Sequence, residues 1–173
     1  MRNIAVATFL LAAACSDGGA GEGDKQKAAA SKAAQLTPGQ WETTVEVTKL
    51  TQQDKAPRPA IDTPVGTKST ATACVTPADV KNPPAALLAG NDAYQCTSND
   101  LYMSRGTLGV SLACSRKGVS GDVRMNLDGT YTADTIEANQ SLSTFLPGDG
   151  DVTIASKLTG RRTGDCSAEP AKG

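Results

Sequence analysis

The 173-residue sequence contains no histidine. One copy of the chain therefore has no imidazole base for Ser-His-Asp or Cys-His catalysis. It also lacks the commonest protein ligand of hydrolytic zinc centres. Aromatic residues make up 3% of the chain, too few for a platform that stacks single-stranded nucleic acid or sugars. Charge of either sign is not in excess: 17 Lys and Arg stand against 18 Asp and Glu. A near-neutral chain offers no electrostatic footprint for nucleic acid. No apolar run reaches the ~20 residues that a membrane-spanning helix needs.

One short apolar run is nonetheless present, from Ile4 to Ala14, reading IAVATFLLAAA and followed by Cys15. A single basic residue, Arg2, precedes it, and small residues lead up to the cysteine. Short length and small residues before a cleavage point mark a signal peptide and not a transmembrane helix. The stretch resembles the signal peptide and lipobox of bacterial lipoproteins, which implies that Cys15 is lipidated and becomes the mature N-terminus. Ser16, not Asp, follows the cysteine; by analogy with Gram-negative lipoproteins this implies sorting to the outer membrane. Loss of Arg2 leaves 16 basic and 18 acidic residues, a net charge of −2.

Four cysteines remain beyond the leader: Cys74, Cys96, Cys114 and Cys166. In an exported chain, four thiols read as two disulfides. Zinc sites built from four cysteines usually show C-x₂-C pairs, whereas the gaps here are 22, 18 and 52 residues. No metal and no other cofactor is expected.

Composition divides the chain into four parts. Residues 1–15 are the leader and the lipidated cysteine. Residues 16–35 hold no aromatic, Leu, Ile or Val and so read as a flexible linker, about 25 Å in root-mean-square reach if coil-like. Residues 36–167 are long enough for one small domain with a core. Residues 168–173 form a polar tail that should fray.

Within the domain, apolar residues alternate with period two, the mark of half-buried strands. Trp41, Val45 and Val47 oppose Glu42, Glu46 and Thr48; Leu108, Val110, Leu112 and Cys114 oppose Thr107, Gly109, Ser111 and Ala113. Val119, Val123, Met125 and Leu127 oppose Ser120, Asp122, Arg124 and Asn126. Arg105-Gly106, Lys117-Gly118, Asp128-Gly129 and Pro147–Asp151 supply corners, Asp-Gly being a strong type I′ turn signal. The expected fold is mainly β: a single antiparallel curved sheet or partly open barrel, built as a hairpin meander. One short kinked helical segment interrupts it from Thr76 to Ala89. Thr76-Pro77-Ala78-Asp79 resembles a capping box, Asn82-Pro83 restarts the helix, and Gly90 ends it.

Strand phase also bears on the disulfides. Cys114 is in step with core-facing residues, as is Cys166 if the last strand runs on undisturbed. Cys74 and Cys96 bracket the helical segment and fall out of step. Phase therefore favours Cys74–Cys96 and Cys114–Cys166, with the other two connectivities open.

Several of these segments together resemble a known family. PGQWETTVEV at 38–47, ACVTPADV at 73–80, Cys96 and Cys114 across a hairpin, and TGRRTGDC at 159–166 are similar to the bacterial envelope family called domain of unknown function 3617. Its members carry PG-x-WE, CVTP, two further cysteines and a closing G-x-R-x-G-x-C. The resemblance covers Pro38 to Cys166 and implies an exported, disulfide-bearing β-rich domain with no assigned activity. The methionine-rich segment frequent after the first strand of such proteins is replaced here by TQQDKAPRPAIDTP.

Candidate chemistry is sparse. Glu42 and Glu46 share a strand face, as acid–base pairs do, but a solvated face explains them as well. Asp149 and Asp151 lack the continuation of a calcium loop and read as a turn. Lys157, Arg161 and Arg162 could meet an anionic headgroup or simply be soluble surface. Trp41 reads as a core anchor. No catalytic residue is assigned, and an enzyme is not expected. The sequence favours a membrane-anchored envelope lipoprotein, facing the periplasm, that serves as a structural or interaction module for an unknown envelope protein. The alternative is a carrier of a small apolar ligand or lipid in a cavity under the curved sheet.

Overall fold

The computed structural model describes residues 35–167. The leader with Cys15, all but the last residue of the linker, and the tail lie outside them. Seven strands follow in chain order: β1 (Gly39–Gln52), β2 (Lys68–Val75), β3 (Tyr94–Ser104), β4 (Thr107–Arg116), β5 (Asp122–Tyr131), β6 (Thr135–Phe145) and β7 (Val152–Gly164). One short helix, α1 (Ala85–Ala89), lies between β2 and β3.

All strands join one antiparallel sheet in the order β2-β1-β7-β6-β5-β4-β3. The run from β3 to β7 is the expected meander of neighbours. β1 then pairs with β7, with Val45 opposite Leu158 and Leu50 opposite Ile154. The sheet curls into a half-barrel, and its alternation decides what is inside. Trp41, Leu112, Met125, Leu127, Ile136, Val152 and Leu158 are all buried on the inner face. Thr, Glu, Lys, Asn and Ser populate the outer one, as expected for an antiparallel sheet with one wet side.

A curled sheet that does not close leaves two free edges, here β2 and β3. The 76–93 connection runs between them, and α1 touches β1, β2 and β3. Leu87, Leu88 and Ala89 bury themselves against the open side of the half-barrel. The helix thus fills the open side between the two edge strands.

The helical segment is shorter than expected. Turns occupy 77–81, and helix begins only after Pro84. Pro83 and Pro84 bring no backbone N–H and push the residue before each away from helical angles. Asp79 does accept from Thr76 N (2.9 Å) and Thr76 Oγ1 (2.6 Å), but this closes a turn and starts no helix. Gly90 ends α1 as expected, at φ 63°, with its N–H donating to Ala86 O.

The corners at Arg105-Gly106 (φ 51° and 81°) and Lys117-Gly118 are present. Asp128-Gly129 is not a corner: β5 continues through it, and the turn falls at 132–134. There Thr132 Oγ1 accepts from Asp134 N and Thr135 N. Gly129 serves a close approach instead, since a Cβ would overlap the backbone of Glu137 and Ala138 on β6.

The disulfides correct the pairing favoured from phase. They are Cys74–Cys166 (Cα–Cα 5.4 Å) and Cys96–Cys114 (Cα–Cα 4.0 Å), in place of Cys74–Cys96 and Cys114–Cys166. Two irregularities cause the reversal. In β3 the register slips between Ser98 and Asp100, so the phase of Leu101 and Met103 does not carry back to Cys96. Cys96 instead lies directly opposite Cys114 on the inner face. In β7 the register slips beside Gln40 and Trp41, so Cys166 leaves the inner phase of Leu158. Cys74, paired opposite Gln40 and out of step with buried Ala71 and Val75, then meets it across the end of β1. Cys74 and Cys96 stand on opposite edges of the sheet, with the 76–93 segment between them.

Candidate functional site

The N-terminal segment is pinned where it joins the half-barrel. Leu36 is buried, Thr37 N donates to Ala133 O (2.7 Å), and Trp41 Nε1 donates to Thr37 O (2.9 Å). Arg162 Nε donates to Pro38 O at 2.9 Å. Trp41 is fully buried, a core anchor as expected. Leu36 and Thr37 therefore lie at the barrel end that carries the β3–β4 and β5–β6 turns. The Cys74–Cys166 bridge sits at the same end.

The charged candidates are placed apart and neutralised. Glu42 accepts from Arg161 Nη2 at 2.7 Å, and Glu46 pairs with Lys68 at 3.3 Å. Both pairs lie on the outer face. Arg162 turns to the other side and pairs with Asp165, so Lys157, Arg161 and Arg162 do not converge on one anion. Asp151 Oδ1 accepts from Thr144 Oγ1 (2.8 Å) and Leu146 N (3.0 Å), which makes the 146–151 loop a tied turn. Among the described residues no group of three His, Cys, Asp or Glu side chains is placed to hold a metal ion.

Inside the half-barrel, polar groups serve the helix. Thr43 Oγ1 donates to Leu87 O at 2.9 Å, and Gln140 Nε2 donates to Ala89 O at 3.0 Å. Ser69 Oγ donates to Gly90 O at 3.1 Å. The last carbonyls of a helix have no partner within it; here three strands supply them. Beside these groups lies a cavity of about 50 Å³, bordered by Val45, Met125, Gln140, Leu142 and Ile154.

Asp54 is the residue that sequence reasoning missed. It sits just after β1, with Oδ1 accepting from Ala56 N (2.9 Å) and Oδ2 from Gly150 N (2.6 Å) and Asp151 N (2.9 Å). These backbone donors, Ala56 first, lower its pKa from 3.8 to about 2. Gln53 N to Asp151 O and Ala60 N to Gly150 O complete a seam between the 53–67 and 146–151 loops. An aspartate whose side chain accepts from the backbone N–H two residues on is an Asx turn, a local pattern that was legible. Its partners 96 and 97 residues away were not.

A family model described as "Protein of unknown function (DUF3617)" matches residues 36–166. The chain belongs to that family. Its DUF3617 domain is the half-barrel with both of its disulfides. Neither a curated protein nor a solved structure matches the chain.

Proposed function

We propose that this DUF3617 protein is a non-catalytic envelope lipoprotein, held by lipid on Cys15 and facing the periplasm, with the outer membrane as its destination. In this reading the half-barrel is a structural or interaction module for another envelope protein. One observation carries the proposal: the four domain cysteines pair among themselves. The fifth, Cys15, ends an apolar run of leader type. Disulfides belong to oxidising compartments, which agrees with export. Glu42 and Glu46, the carboxylates that share a strand face, are instead tied to Arg161 and Lys68. The cavity of about 50 Å³ is far below the ~300–1,000 Å³ of small-molecule sites. That difference weighs against the lipid-carrier alternative.

Mass spectrometry of the N-terminal peptide, combined with fractionation of Cys15→Ser, tests the proposal. The expected mature chain begins at a lipidated Cys15 and sediments with membranes, and Cys15→Ser loses the lipid mass and the lipid-dependent sedimentation. A chain that keeps Met1 to Ala14 and stays in the cytosol contradicts it.

A further inference from the structure

The outer face of the sheet holds a second feature that the anchoring role does not use. Between β5, β6 and β7 lies an open trough of about 460 Å³. Its walls are Asp128, Thr130, Glu137, Asn139, Lys157 and Thr159. Strand register sets them side by side: Asp128 faces Asn139, which faces Lys157, and Thr130 faces Glu137, which faces Thr159. Two carboxylates of β1 on this face are paired, Glu42 with Arg161 and Glu46 with Lys68. Lys157 lies next to Glu46 in the ladder, yet Glu46 turns to Lys68. Among the described residues, none of the six wall side chains makes a side-chain hydrogen bond or ion pair.

An aromatic ring lies at one end of the same row. Tyr102 is opposite Gly109, and Gly109 is opposite Asp128. Tyr102 is 58% exposed, among the most exposed large apolar side chains of the domain. Gly109 leaves open the space between ring and carboxylate: Tyr102 Cβ and Asp128 Oδ1 lie 3.9 and 4.0 Å from where its Cβ would stand.

We infer that this row is an oligosaccharide-binding trough, with Tyr102, two strands beyond its wall, stacking on the terminal sugar ring and the unpaired side chains meeting the hydroxyls of the units that follow. Acceptor-only carboxylates, donor-only lysine and two-way amide and hydroxyl groups together match the mixed edge of a polyhydroxylated ring. A charged ligand would use only part of the set. A pyranose also presents a C–H face, which packs on an aromatic ring. The trough's volume falls within the usual range of ligand sites. A single ring stacks on one sugar only and makes no platform, so polar contacts would hold the other units.

Titration calorimetry on the oxidised full chain tests the inference, with three probes: tetramers of β-1,4 N-acetylglucosamine, β-1,4 glucose and α-1,4 glucose. At least one is expected to bind saturably. Gly109→Val suits a strand and fills the gap without removing a polar group; it should weaken binding at least tenfold. Tyr102→Ala and Asp128→Asn should do the same, while Glu42→Gln, in the neighbouring row, leaves binding unchanged. Absence of saturable binding to all three probes, or binding that survives Gly109→Val, overturns the inference.

Discussion

One carboxylate ties two loops at the mouth of the half-barrel. Asp54 accepts from Ala56, Gly150 and Asp151, and its pKa of about 2 lies below its ordinary 3.8. A lowered folded-state pKa means stability fully present above pH ~4 and lost as pH falls toward ~2. Asp54→Asn, whose amide nitrogen must face a backbone donor, should melt at a lower temperature than the parent at pH 7. The gap in Tm should narrow between pH 4 and pH 2. A gap independent of pH would show that the charge is not its source. Thr43→Val tests the helix support in the same way. It leaves Leu87 O without its partner in a fully buried place, at a cost of about 1–3 kcal/mol, measurable by urea unfolding. Thr43 was legible as a residue of the inner phase, since it shares parity with Trp41 and Val45. What it bonds to was not, because the helix it meets is 44 residues away.

Among the elements, the strands were the most legible, because period-two burial is written locally. Their ends were less so. Asp128-Gly129 has the chemistry of a hairpin turn, yet tertiary contact overrode it: at Gly129 the backbone of β6 leaves no room for a Cβ. Gly129→Val should therefore disrupt the β5–β6 ladder, whereas an ordinary turn glycine would tolerate a side chain at a cost of ~1 kcal/mol. Lost amide protection across 122–145 in hydrogen exchange is the expected sign; full protection would contradict it. The helix shortened because two consecutive prolines cannot be helical interior. Its buried leucines remain the plug of the open side. Leu88→Ala should cost about 2–5 kcal/mol, read from the denaturation midpoint, and a neutral result would mean that α1 is not packed as described.

For the whole molecule, the decisive contact is β1 against β7, which closes a chain of more than a hundred residues into one sheet. No local signal announces that pairing; only the shared inward phase of Val45 and Leu158 is compatible with it. The disulfide connectivity was misread for the same reason. Phase counts fail at a bulge, and register slips lie in β3 beyond Cys96 and in the β1–β7 pairing that leads to Cys166. The bridges span unequal stretches, 92 and 18 residues. On the chain-entropy model, losing Cys74–Cys166 costs about 4.5 kcal/mol and losing Cys96–Cys114 about 3 kcal/mol. Paired Cys→Ala variants compared by urea unfolding should rank in that order. The proposed export requires that oxidation lock the half-barrel outside the cytoplasm, and peptide mapping without reduction decides it. Protein isolated from the envelope should yield linked peptides for Cys74–Cys166 and Cys96–Cys114 and no free thiol in the domain. Linked peptides joining Cys74 to Cys96, or four free thiols, would contradict it.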